Sequence, residues 1–543
     1  MRKEGMSMNL ITKIKSKYRL FAAMIIVSCL LLGVYLYRSS LQLENNVRIA
    51  DSEIADEIKM IKTDGEFNIF DMEYQDFIQN LIDDEKKGAS ISQPFLIYDP
   101  FGTNSDAVNV YFNESVENVS YTIKTDGYAD YSQTLKTDQD DGYQIIGLVA
   151  GETNTLILNV NDQSFTYTLK MPKSPSNAAN QLEITDGESQ EALSNGLFAV
   201  LGKDTRSNIF LYDNNGTLRS ELIVDDSEYR SDRLLTIDDQ LVYTYDKRGF
   251  LFVNRQGKIE KIMELDGYYM HHDFIYDQQR HSLLILANKD DDDTIEDRVV
   301  SLNLKTGKTQ ELVNMKELLP EMYETAEGKG EKNTYGGDEL DWIHLNSLSL
   351  MDDGSLLVSS RELSTIIKIT DLYGESEIDY MISDESIYED LSYQDLILDK
   401  VSDFSSQAGQ HAVTYSRHED MESGCYYVSL FNNNYGKMST RSDYDWSNIE
   451  GVGTYQQGTC SYYYKYLVNE NTGTYTLVDS IVLPYSAIVS SIEYYDGHIQ
   501  TSSGKDLSFA EYDASGNLIR EFEYEAEEYA YRVLKYSFDL WFE

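Results

Sequence analysis

From about Ser90 onward the chain alternates short apolar and aromatic runs with polar turn signals, and long helical periods are scarce. Between residues 91 and 175 the runs include VNVYF, VSYTIK, NTLILNV and SFTYTLKM, which suit a small antiparallel sandwich of seven or so strands. Pro172-Lys173-Ser174-Pro175-Ser176-Asn177 then interrupts the pattern as a linker. Beyond it one hairpin design keeps returning: an apolar strand, a polar turn ending in Gly, and a second strand. Its turns are YDNNG at Gly216, NRQG at Gly257, NLKTG at Gly307, DLYG at Gly374, NNNYG at Gly436, NENTG at Gly473 and YDASG at Gly516. Roughly 40–50 residues per unit suits the four strands of a propeller blade, and about 360 residues at this period predict six blades. Segments around 315–340 and 378–405 overrun the period and are predicted as helical or lid-like insertions.

The N-terminal part has a different texture. Val47, Ile54, Ile58 and Ile61 recur at spacings of 7, 4 and 3, which predicts an amphipathic helix in a stalk. Before it, Leu20–Tyr37 is an uncharged apolar run of 18 residues, near the lower limit for a spanning helix. Arg2, Lys3, Lys13, Lys15, Lys17 and Arg19 precede this run and Arg38 alone follows closely, so the positive-inside rule leaves the bulk of the chain outside the cell. Ile26-Val27-Ser28-Cys29 loosely resembles a lipoprotein cleavage box, but cutting there would leave LLLGVYLY attached, so an uncleaved anchor is expected. The predicted organisation is a cytoplasmic tail (1–19), a transmembrane anchor (20–37), a helical stalk (38–90), a β-sandwich (91–175) and a six-bladed β-propeller (176–543). The fold class is thus all-β with one N-terminal membrane helix.

Composition narrows the partners. The 543 residues carry 93 Asp+Glu against 45 Lys+Arg, a formal net charge of −48, which excludes a general nucleic-acid binder. With 41% apolar residues and 43 Tyr, the chain is not a disordered acidic tail. Three Cys exclude a disulfide scaffold or a Cys-based zinc module, although Cys425 and Cys460, in neighbouring hairpins, are candidates for one disulfide. Asp290-Asp291-Asp292-Asp293 lacks the spacing of a calcium loop and reads as a solvated acidic turn.

Seven His are scattered through the chain, so matched positions stand out. Laying His271 over His344 without gaps puts His271-His272-Asp273 over His344-Leu345-Asn346, and Leu283-Leu284-Ile285 over Leu356-Leu357-Val358. His411, in Gly409-Gln410-His411-Ala412, opens the next apparent blade similarly. Equivalent blade positions converge on a propeller's central channel, so three blades are predicted to aim imidazoles at one spot, with Arg361 reaching the same opening. A lone propeller His is more often a strand-to-strand hydrogen bonder; the threefold match with Arg361 is what lifts these above it. His281, His418 and His498 lack such matches and read as surface or turn residues. Clustered imidazoles suit either a Zn or Cu site or an anion site holding a His nucleophile. Arg361 favours the anion, because a permanent cation beside a dication is unfavourable while its planar fork matches sulfate or phosphate oxygens. No metal is expected.

At these residues the sequence closely resembles the bacterial arylsulfate sulfotransferases. The stretches are HHDF at 271–274, TIEDRVVSLNLKTG at 294–307, DWIHLNSLSL at 341–350, SSRELSTIIKI at 359–369 and GQHAV at 409–413, and DPFGTNSDAVNVYF at 99–112 resembles the start of that family's N-terminal sandwich. The resemblance implies a six-bladed propeller that transfers a sulfuryl group by ping-pong kinetics through a sulfohistidine, without the nucleotide donor 3′-phosphoadenylyl sulfate or any cofactor. It implies His411 as nucleophile, with His344, Asn346 and Arg361 holding the sulfuryl oxygens beside His271 or His272, and with His344 or His271 handling the proton. The turns Arg417–Glu422 and Asp277–Arg280 depart from the family pattern but spare those positions. The expected partners are a phenolic sulfate donor, a phenol acceptor and the membrane; the sequence leaves the oligomeric state open, with a homodimer as one candidate. The competing readings are an aryl sulfatase, in which water replaces the phenol, and a non-catalytic cell-surface propeller that binds ligands.

Overall fold

The computed structural model describes Ser28 and residues 38–542, apart from 138–141, 204–207, 225–229, 332–336, 450 and 454–458. The cytoplasmic tail and, Ser28 apart, the apolar run 20–37 lie outside the described residues. No helix among the described residues is long and apolar enough to cross a membrane. Strand is the dominant regular structure among the described residues, arranged in eight sheets.

Two sheets form the N-terminal part. One joins Val47–Asp51, Ile58–Thr63, Phe95–Tyr98, Val108–Tyr111 and Gly142–Ile145; the other joins Tyr131–Leu135, Val119–Thr125, Thr153–Val160 and Gln163–Lys170. Their buried faces meet in a core that holds Val108, Val110, Tyr121, Leu156 and Leu158. The segment read as a helix from Val47 to Ile61 is instead an antiparallel hairpin, Val47–Asp51 against Ile58–Thr63. Its apolar spacing fits a helix only because a turn separates two strands, and β-branched Val47, Ile49, Ile58, Ile61 and Thr63 favour pleated backbone. Helix in this region lies instead to either side of the hairpin, over residues 38–46 and at Met72–Glu85, the latter capped by the Asp71 side chain and burying Tyr74, Ile78 and Ile82.

The remaining six sheets each have four or five strands. The inner strands are Leu235–Ile237, Tyr268–Asp277, Leu345–Leu350, His411–Ser416, Ser491–Tyr495 and Ala530–Tyr536, and they touch in that succession. The ring closes where Leu234 N–H donates to Tyr536 Oη at 3.2 Å. Two exchanges lock this propeller-like arrangement. The C-terminal Ala530–Tyr536 is the inner strand of the sheet that begins at Leu197–Lys203, while Glu183–Asp186 is the outer strand of the sheet formed by residues 491–523. Short helices (Met315–Leu318, Pro320–Glu324) and 3-10 turns (Glu385–Tyr388, Gln394–Leu396) fall in the two overlong segments.

Cys425 and Cys460 are both free, which corrects the disulfide expectation. Cys425 pairs with Asn469 at one end of the strand Ser461–Asn469, and Cys460 stands just before the other end. Nine residues of strand separate the two by roughly 30 Å, far beyond the span a disulfide tolerates.

Candidate active site

The inner strands are irregular where the histidines stand. Pairing with the next strand shifts between Met270 and Phe274, between Leu345 and Ser347, and between His411 and Thr414. At or just before each shift a non-Gly residue adopts the left-handed conformation: His272 (φ 57) and Ala412 (φ 53) within it, and His344 (φ 51) immediately ahead of it. Such bulges re-aim side chains, and each left-handed residue costs of order 1–3 kcal/mol that the surrounding sheet must offset. The turn into His411 is also constrained. Gly409 has φ 63, and a Cβ there would meet the Tyr435 carbonyl oxygen at 2.8 Å.

The result is a buried file of rings. His271 and His272 lie 5.1 Å apart by ring centroid, and His272 and His344 5.0 Å. Tyr531 lies 5.4 Å from His272 and 6.4 Å from His411, bridging the two. His271 Nδ1 and His272 Nδ1 approach to 2.9 Å, so one ring donates and the other accepts. The histidines without matched positions take other partners: His281 bonds Tyr276, His498 sits between Glu511 and Glu191, and His418 packs edge-on to Tyr427.

His411 is held in one tautomer. Its Nδ1 lies 2.7 Å from Asn433 Oδ1 and 3.1 Å from the Gly409 carbonyl, both acceptors only, so Nδ1 carries the hydrogen. The Asn433 amide cannot be turned round, because its Nδ2 donates to the Ser486 and Val489 carbonyls at 2.8 and 3.0 Å. Nε2 therefore keeps its lone pair. Burial, with Arg361 and His344 adding to it and the Asn433 bond opposing it, depresses the His411 pKa to about 3. Burial likewise lowers His271 to about 3 and His272 well below the usual range.

His344 goes the other way. Burial acts to lower it, but the Asp341 and Glu296 carboxylates override that and hold its pKa at about 10. Its Nδ1 lies 2.7 Å from Asp341 Oδ2 and 2.6 Å from Glu296 Oε2. At neutral pH the site thus pairs a neutral His411 with a protonated His344. Arg361 adds a permanent cation whose field reaches His411, His344, Glu296 and Asp341. Its backbone N–H bonds the His344 carbonyl at 3.0 Å, while no hydrogen bond or ion pair engages its guanidinium among the described residues.

Asn346 is fully buried and its Nδ2 donates to the Gln410 carbonyl at 2.7 Å, bracing the His344 strand against the His411 strand. That leaves one amide hydrogen for a ligand. Asp273, its counterpart in the repeat, is clamped by Arg532 and Arg233 at 2.7 and 2.8 Å, and these cations hold its carboxylate below the usual range despite burial.

Two triads have the donor set and closeness of metal ligands, His271–His272–Glu296 and Glu296–Asp341–His344. In the second, His344 Nδ1 donates to Asp341 and stands as an ion-pair partner to Glu296, so binding a cation there would require its proton to leave. Glu296, Asp341, Asn433, Arg230 and Tyr531 were not singled out from the sequence. Glu296 and Asp341 stand inside the stretches TIEDRVV and DWIHLN, and Asn433 inside the turn NNNYG, where Asn reads as turn chemistry. Arg230, 4.5 Å over the Tyr531 ring, and Tyr531 itself carried no local signal.

An arylsulfotransferase family model matches residues 183–537. No curated protein matches the chain. Among solved structures, a protein of unknown function from Bacteroides caccae is 9% identical with a TM-score of 0.37, covering 63% of this chain and 99% of its own. Virginiamycin B lyase from Staphylococcus aureus is 10% identical with a TM-score of 0.31, covering 63% and 87%. AztD from Citrobacter koseri is 9% identical with a TM-score of 0.29, covering 77% and 98%.

Proposed function

The chain belongs to the arylsulfotransferase family, and from that premise we propose that it moves a sulfuryl group from a phenolic sulfate ester to a phenolic acceptor by way of a sulfated His411. The six sheets around the inner ring are read as the six blades of a β-propeller, with the site at its axis. The observation that carries the reaction is the tautomer of His411: Asn433 takes the Nδ1 hydrogen at 2.7 Å and leaves Nε2 as a neutral nucleophile.

In the first half-reaction Nε2 bonds to sulfur as the bond from sulfur to the aryl oxygen breaks. The departing phenolate takes a proton from the His344 imidazolium. The adduct places positive charge on the His411 ring, and its Nδ1 hydrogen remains on the Asn433 carbonyl, which stabilises that charge. In the second half-reaction the now-neutral His344 takes the proton of an acceptor phenol, whose oxygen bonds to sulfur as the N–S bond breaks. Both histidines return to their starting states, which gives ping-pong kinetics. A pKa of about 10 on His344 matches a phenol's own, near 10, so the proton moves either way with little penalty.

Transfer of this kind needs positioning and charge stabilisation more than bond-making help, by analogy with phosphoryl transfer. The Arg361 guanidinium and the remaining amide hydrogen of Asn346 serve the sulfuryl oxygens. His272, packed between His344 and Tyr531, is the member of its pair that faces the substrate, with His271 behind it. His271, at about 3, stays neutral, which assigns the proton to His344. The basic residues ahead of Leu20–Tyr37 support an anchor that leaves the propeller outside the cell, a placement that protease access to intact cells tests directly.

The test is 4-nitrophenol release from 4-nitrophenyl sulfate by the full-length protein in detergent, with and without added phenol, for wild type and His411→Ala. Phenol-stimulated turnover that vanishes in the variant supports the transferase. Turnover indifferent to phenol would mean a sulfatase, and none from a folded protein a binding propeller.

A further inference from the structure

The inner strands carry a second chamber beyond the histidines. Along the three strands that bring histidines the imidazoles come first, then a layer in which Arg532 bridges Asp273 Oδ1 and the Asn346 carbonyl at 2.7 and 3.3 Å while Tyr531 Oη also bonds that carbonyl. Past this plug lies a cavity of about 280 Å³. One side is apolar, with Ile275, Leu348, Val413 and Leu534; the other presents Arg233, Arg532 and Glu493.

The polar side is not balanced within itself. Arg532 is buried, yet its Nε has no hydrogen-bond partner. A buried guanidinium N–H without an acceptor is costly, and the usual resolution is a water or an anion. Asp273 neutralises one of the two arginines. Glu493 accepts from the Lys535 backbone N–H at 3.0 Å and has no hydrogen bond to either guanidinium. Burial raises its pKa to about 7, so near neutrality its carboxyl is readily protonated and able to donate.

We infer that this chamber is a binding site, separate from the histidine centre, for a small monoanion with an apolar body, such as an aromatic carboxylate. The anionic head fits the Arg532 Nε and the Arg233 N–H groups that Asp273 does not engage, and the ring lies on the apolar wall. This site stands whether or not His411 is sulfated.

The probe is benzoate, which has the head and the ring but no sulfuryl group to transfer. It is titrated calorimetrically into full-length wild type and into two variants that fill the chamber from two neighbouring inner strands, Leu350→Trp and Thr414→Trp, both lining residues that are half-buried in the native protein. Binding to wild type, weakened at least tenfold in whichever variant folds while 4-nitrophenyl sulfate turnover persists, is the expected result. No binding to wild type, or binding that both folded variants retain, would overturn the inference, the latter placing benzoate at the histidines instead.

Discussion

His411 Nδ1 and Asn433 Oδ1 lie 2.7 Å apart, and the Asn433 amide is itself locked by two backbone carbonyls. A neutral acceptor in that place fixes which ring nitrogen keeps its lone pair without raising the ring's basicity as a carboxylate would. Replacing Asn433 with Ala frees the tautomer and the ring orientation, and kcat/KM is expected to fall by on the order of 100-fold or more. Asn433→Asp is the sharper variant. A carboxylate there raises the His411 pKa from about 3, so an acid limb should appear at higher pH than in wild type, with activity lost as pH falls through it. A pH–rate profile of both proteins checks this.

His344 must be protonated to serve the leaving group. Its pKa of about 10 lies above its unfolded value, so the charged form prevails at neutral pH and is lost as pH rises through about 10. The first half-reaction should slow over that window. Glu296→Gln removes one of the supporting carboxylates, which lowers the His344 pKa and shifts the alkaline limb to lower pH. His344→Ala should cost much more with phenyl sulfate than with 4-nitrophenyl sulfate, because nitrophenolate departs without a proton. Comparing kcat/KM for the two donors checks the assignment.

In the proposed reaction the planar Arg361 guanidinium, whose field reaches His411 and His344, donates to the sulfuryl oxygens. Its replacement by Ala is expected to reduce kcat/KM by roughly 10²–10³-fold. Lys restores the charge but not the fork, so Arg361→Lys should recover only part of the loss. Steady-state kinetics of the two variants test that order.

Cys425 and Cys460 stand at opposite ends of one strand pair. Both should react with a thiol reagent in native protein that has never been reduced, and Cys425→Ser should leave the Tm unchanged with or without reductant. Intact-mass measurement after alkylation reads the first, thermal melting the second.

The repeat was legible because its signals are local. A turn that needs positive φ writes Gly into the sequence, as at Gly216 and Gly516 (φ 70 and 81), so the recurring hairpins of an all-β chain followed. The matched histidines were legible for the same reason, since equivalent blade positions meet at one axis. Val47 to Ile61 misled because two strands and a turn reproduced a helical spacing, and only pairing with Phe95–Tyr98 reveals the sheet. The partners that set the chemistry were hidden by distance along the chain. Asn433 is 22 residues from His411 and reads as a turn residue, Glu296 is 48 from His344, and Tyr531 is 120 from His411. Nothing near any of them says that the ring closes there.

The proposed reaction turns on a covalent bond between His411 Nε2 and sulfur. The most direct measurement is mass spectrometry of full-length protein mixed briefly with 4-nitrophenyl sulfate in the absence of phenol and digested without acid. The expected result is one equivalent of nitrophenol released in a burst, with the mass of one SO₃ group gained on the peptide that carries His411 and lost on adding phenol. A burst without that adduct, or an adduct on His344, His271 or His272 that persists in His411→Ala, would contradict it.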